Sequence, residues 1–111
     1  MINFNGSILE DKKTVFSATN RAFKYGDALF ETIKVTDSNI KFLEDHYFRL
    51  MASMRMLRME IPMNFTMEFF EKEIINTVIA NNLEAARVRF TVYRNDGGMY
   101  APTTNTSSYI V

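Results

Sequence analysis

Asn20-Arg-Ala-Phe-Lys-Tyr-Gly-Asp-Ala-Leu-Phe-Glu-Thr-Ile-Lys-Val35 divides at its middle into a turn-forming half and a strand-forming half. Asn20, Gly26 and Asp27 tolerate tight backbone geometry, whereas Leu29 to Val35 alternates in the period of a pleated strand. One face of that strand carries Leu29, Glu31, Ile33 and Val35, and the other carries Phe30, Thr32 and Lys34. A loop that feeds directly into a buried strand is a good place to hold a ligand, although many ordinary hairpins share this residue pattern.

Working outward, Ile2 to Leu9 alternates around Asn5-Gly6, a strong hairpin signal. Thr14-Val15-Phe16 is read as a brief additional strand before a turn from Ser17 to Asn20. Downstream, Asp37-Ser38-Asn39 reverses the chain and Ile40 to Phe42 is expected to return antiparallel. The period then changes. Leu43, Tyr47, Leu50, Met54 and Leu57 form the apolar stripe of a helix that should end before Pro62. Thr66 is a plausible N-cap, with Glu68 in the first turn of a second helix of about four turns that ends at Asn81-Asn82. Arg87 to Tyr93 alternates again, with Val88, Phe90 and Val92 on one face and Arg87, Arg89, Thr91 and Tyr93 on the other. Asn95 to Gly98 reads as a turn, and the chain closes on a strand-like Ser108-Tyr-Ile-Val111. The order β-β-β-β-α-α-β-β describes an α+β domain, an antiparallel sheet with two helices packed on one face.

The chain has 111 residues, the size of one domain, and 47% apolar residues are ample for a core. Thirteen basic and thirteen acidic side chains cancel, so no global field argues for nucleic acid or an anionic membrane. Recognition of an anion must rest on individual arginines. The absence of cysteine excludes disulfides and a thiol nucleophile, and a single histidine, His46, argues against a zinc site. No signal-peptide core or membrane-length apolar run is present, so a cytoplasmic location is expected.

Candidate chemistry is sparse when residue types are taken singly. His46 and Arg49 are helical neighbours three positions apart, a pair that is more often solvated than catalytic. Five of the eight methionines fall between Met51 and Met63 and read first as irregular core filler. An arginine at position 89, mid-strand on a face bearing hydroxyl groups, asks for an anionic partner.

Three motifs in order carry a resemblance. Asn20-Arg21-Ala-Phe-x-Tyr25-Gly26-Asp27-x-x-Phe30-Glu31-Thr32 is the first, Phe42-Leu43-x-x-His46-x-x-Arg49-Leu50-x-x-Ser53 the second, and Val88-Arg89-Phe-x-Val-x-Arg94 with Gly97-Gly98 the third. Together they resemble the small N-terminal domain of class IV aminotransferases, which includes branched-chain and D-amino acid aminotransferases and aminodeoxychorismate lyases. The resemblance implies pyridoxal 5'-phosphate as cofactor, an amino acid and a 2-oxo acid as substrates, and a homodimer. It places Arg49 on the cofactor phosphate, with His46 positioning it, and Tyr25, Phe30, Thr32, Arg89, Arg94 and Tyr100 around the substrate. Gly97-Gly98-Met99-Tyr100 is similar to the Gly-Gly-Arg-Gly-Tyr stretch of the lyases, with Met99 in place of its Arg-Gly. The family's Schiff-base lysine lies in a larger downstream domain, and Lys24, Lys34, Lys41 and Lys72 do not match it. The chain is therefore expected to be residues 1–111 of a longer enzyme and inactive alone. A lyase of the same family and a non-catalytic binding module are the alternatives. The module should lack a large exposed apolar surface, whereas a domain awaiting its neighbour should present one.

Overall fold

The computed structural model describes every residue, Met1–Val111. Two tight hairpins start the two ends of its sheet. Asn5 and Gly6 both take positive φ, at 50° and 91°, and join β1 (Ile2–Phe4) to β2 (Ser7–Leu9). Asp37 and Ser38 do the same at 49° and 61° between β3 (Ala28–Thr36) and β4 (Asn39–Ile40). Such turns carry the right twist for the strands they connect. Beyond the hairpins the chain forms α1 (Arg21–Tyr25), α2 (Leu43–Met56), α3 (Met67–Ala80), β5 (Ala85–Arg94) and β6 (Ser107–Ile110). The six strands form one antiparallel sheet in the order β2-β1-β6-β5-β3-β4.

The expected α+β architecture is therefore present, with α2 and α3 on the inner face of the sheet. Ile33 and Val35 of β3 and Val88, Phe90 and Val92 of β5 meet Leu50, Met51 and Met54 of α2 and Phe70, Ile74 and Val78 of α3 in one core. Phe90 is its centre, stacked on Tyr109 at 5.3 Å and tilted against Phe70 at 4.8 Å. The Thr66 hydroxyl accepts from the Phe69 amide at 3.1 Å, the N-cap that the sequence predicts for α3. Burial raises the pKa of the Tyr109 phenol, and the neighbouring Glu73 carboxylate pushes it the same way.

Three local expectations differ from the structure. Thr14-Val15-Phe16 pairs with no strand; instead Phe16 crosses the outer face, edge-on to Tyr93 at 5.1 Å and to Phe4 at 6.0 Å. Aromatic contact thus replaces ladder hydrogen bonds for this segment. The return strand stops at Ile40 because Phe42 takes a left-handed conformation, φ 55°, that starts α2 rather than extending a strand. Residues Arg21–Tyr25 form a helical turn where only a turn-forming segment was expected.

Phe90→Ala should lower the unfolding free energy by about 3–5 kcal/mol, the range for emptying a fully buried aromatic site. The shift of the urea midpoint measures it.

Candidate functional site

The first motif folds as a helical turn clamped to the strand that follows. The Asn20 side chain accepts from the Ala22 amide at 2.9 Å, and Gly26 closes the turn at φ 65° with its amide on the Ala22 carbonyl. This reversal points Asp27 inward. Its Oδ2 accepts from Arg21 Nε and from Arg94 Nε, each at 2.9 Å. Arg94 also donates to Asn105 Oδ1 at 2.7 Å and to the Leu57 carbonyl at 2.6 Å. Arg21 donates to the carbonyls of Gly97, Met99 and Tyr100. Asp96 adds a clasp by accepting from the Arg21 backbone amide at 3.0 Å.

The expected substrate residues fall into two groups. Tyr25, Arg94 and Tyr100 line a cavity of about 310 Å³ together with Arg21, Asp27 and Leu57, and the two tyrosine rings meet edge-to-face at 6.1 Å. Arg94 is only 5% exposed, so within this wall its guanidinium serves the protein's own acceptors. Phe30, Thr32 and Arg89 share the outer face of the sheet, where Thr32 and Arg89 are direct cross-strand partners. The Arg89 guanidinium lies 3.8 Å from the Phe30 ring centroid. Thr32, Arg87 and Arg89 line a second concavity of about 430 Å³. The ion pairs of the chain involve Arg21, His46, Arg49 and Arg94, so Arg87 and Arg89 have no carboxylate partner.

Arg49 stands apart, on α2 at the inner face. Its Nε and Nη2 grip the Glu31 carboxylate at 3.0 and 2.6 Å, and His46 Nδ1 lies 2.6 Å from the same carboxylate. Burial opposes ionisation of Glu31, but the bonds from Arg49 and His46 outweigh it and hold its pKa below the ordinary value. The hydrogen bond to Glu31 also raises the pKa of Arg49. Nη1 of Arg49 makes no bond within the protein, and the side chain is 62% exposed. A phosphate group fits here: an oriented, permanently charged fork offers free donors beside a strand whose Ala28 to Ile33 segment has no partner on the β4 side.

Sequence reading missed three participants. Glu31 was legible as an acid on an apolar face, a position that demands a partner. Arg87 was visible on the Arg89 face but carried no motif. Arg21 has one acceptor nearby, Asp27, but the three carbonyls it holds lie more than seventy residues away in the chain, where no local pattern reports them.

Residues 28–111 match the family described as Amino-transferase class IV, and the chain belongs to that family. It is 32% identical, over 98 residues, to a protein provisionally named a branched-chain-amino-acid aminotransferase in Methanocaldococcus jannaschii, covering 88% of this chain and 33% of that one. The crystal structure of the branched-chain amino acid aminotransferase from T.th. superposes with a TM-score of 0.84 at 27% identity, over 98% of this chain and 38% of that one. That enzyme has also been solved with N-(5'-phosphopyridoxyl)-L-glutamate. A protein provisionally named a 4-amino-4-deoxychorismate lyase, from Legionella pneumophila, gives a TM-score of 0.73 at 26% identity over 87% of this chain and 35% of that one. The chain thus spans about a third of the length of the relatives it matches.

Asp27→Asn should cost about 3–5 kcal/mol in a denaturant titration, since it leaves two buried guanidinium groups without their shared anion. A separate pH dependence follows from Glu31. Its folded pKa is depressed, so its contribution to stability is complete above the unfolded value of about 4.3 and is lost as the pH falls through the folded value. Urea midpoints at pH 7 and pH 3 should therefore differ less in Glu31→Gln than in the unmodified chain.

Proposed function

We propose that this chain is the small N-terminal domain of a pyridoxal-phosphate-dependent aminotransferase that moves an amino group between an amino acid and a 2-oxo acid. The observation that carries the reading is the Glu31, His46 and Arg49 cluster, which aims a charged fork into solvent next to the substrate-side strand. Arg49 takes the cofactor phosphate, while Tyr25, Phe30, Thr32, Arg89, Arg94 and Tyr100 form the substrate wall. When bound, the cofactor supplies the electron sink for the reaction. The family resemblance places its anchoring lysine in a larger domain downstream of these residues.

The exposed aromatic residues support a domain that packs against another body. Phe23, Phe30 and Tyr100 of the motif segments are 80%, 53% and 85% exposed. The parent protein is read as a cytoplasmic homodimer with amino-acid and 2-oxo-acid substrates, of which a branched-chain amino acid is one candidate. No helix of the chain is long and apolar enough to cross a membrane. Aminodeoxychorismate lyase is the second reading, supported by the Gly97-Gly98 turn and by similarity to the Legionella protein.

The product of the full reading frame should show a visible chromophore that borohydride bleaches, and the 111-residue chain alone should not. If neither binds the cofactor, the binding-module reading replaces the enzyme. In the chromophore-bearing protein, Arg49→Ala should raise the pyridoxal phosphate concentration for half-saturation by about tenfold or more, the effect of losing charged hydrogen bonds. Turnover of amino acid with a 2-oxo acid, against pyruvate release from aminodeoxychorismate, separates the two chemistries.

A further inference from the structure

We propose that Arg21 is a positioning residue for the Tyr25 and Tyr100 wall, holding the turn after β5 on α1 and thereby setting the shape of the cavity between them. The inference rests on the proposed substrate role of that cavity but is argued from geometry. Arg21 is 3% exposed, and each nitrogen of its guanidinium has an assigned acceptor: Nε on Asp27, Nη1 on the Gly97 and Met99 carbonyls, and Nη2 on the Tyr100 carbonyl at 2.9 Å. The same guanidinium carbon lies 4.9 Å from the Tyr25 ring centroid. One side chain therefore touches both walls, the ring of one tyrosine and the backbone of the other.

The Asp96 clasp on the Asn20 side chain and the Arg21 amide holds the start of the turn, and beyond it Tyr100 itself has few other ties. Its side chain is exposed, and its one aromatic contact is with Tyr25. The turn itself is tight: Gly98 has φ 72° and bridges to Pro102, and a Cβ on Gly98 would collide with the Ala101 carbonyl. Such a turn has a preferred shape, and Arg21 fixes where that shape sits. Only a planar fork can satisfy Asp27 and three diverging carbonyls at once, which an ammonium cannot do. Removal of Arg21 leaves Asp27 paired with Arg94, and the released carbonyls lie in a surface turn that water can reach. The variant is therefore expected to fold with a loosened turn.

The test uses the full reading-frame product and three variants: Arg21→Gln, Arg21→Lys and Gly98→Ala. Chymotrypsin cleavage at the Tyr100–Ala101 bond, read by mass, should accelerate about tenfold in Arg21→Gln, because cleavage follows the open population. Arg21→Lys keeps the charge without the fork and should also cleave faster than the unmodified protein. Gly98→Ala loosens the same turn from its other end and should reproduce the effect. In all three, KM for the amino acid should rise about fivefold or more while kcat changes by less than about twofold, the signature of lost uniform binding. Unchanged cleavage in Arg21→Gln, or Arg21→Lys indistinguishable from the unmodified protein, overturns the proposal. Faster cleavage with unchanged KM overturns the role in substrate shape. An unmodified protein without transamination counts against the proposed function instead, and the cleavage rates still decide whether Arg21 holds the turn.

Discussion

One carboxylate oxygen, Oδ2 of Asp27, accepts from two buried arginines, and the motif side of the domain is assembled around it. Buried guanidinium groups lose their hydration and persist only when they are paired and hydrogen-bonded. A single carboxylate cannot neutralise two of them, so backbone carbonyls supply the rest: Leu57 to Arg94, and Gly97, Met99 and Tyr100 to Arg21. These acceptors come from the end of α2 and from the turn after β5. The cluster thus fastens separate parts of the chain to the start of β3 by satisfying donors that have no other partner.

The sheet divides the remaining work between its faces. The inner face is largely apolar; Asn3 of β1 pairs there with Glu73 of α3, and Glu31 of β3 brings Arg49 and His46 against the strand. The outer face presents Phe30, Thr32, Arg87 and Arg89 without acids to match the cations. Because successive residues of a strand point to opposite faces, Glu31 lies between Phe30 and Thr32 in sequence while serving the other side. One strand therefore carries the Glu31, His46 and Arg49 cluster on one face and the Phe30, Thr32 and Arg89 surface on the other. The match to the class IV aminotransferase family spans residues 28–111 and so takes in β3, α2 and β5.

Much of this was legible in the residues because it depends on local periodicity. The alternation of Leu29 to Val35 and of Arg87 to Tyr93, the stripe from Leu43 to Leu57, the cap at Thr66 and the Asn5-Gly6 turn each report a preference that the final fold respects. The antiparallel sheet with helices on one face follows from those patterns, as do the side of Glu31 and the side of Arg89.

Only the tertiary structure decided what the charged side chains do. Arg94 reads from sequence as part of the substrate wall, and only the fold shows that it also bonds Asp27, Leu57 and Asn105. Arg21 reads as a turn residue, yet it holds carbonyls far along the chain. Thr14 to Phe16 reads as a strand, yet a ring contact with Tyr93 takes precedence. The reason is common to all three. Periodicity encodes which face a residue occupies, whereas hydrogen-bond and aromatic partners depend on distant segments brought together only when the sheet closes.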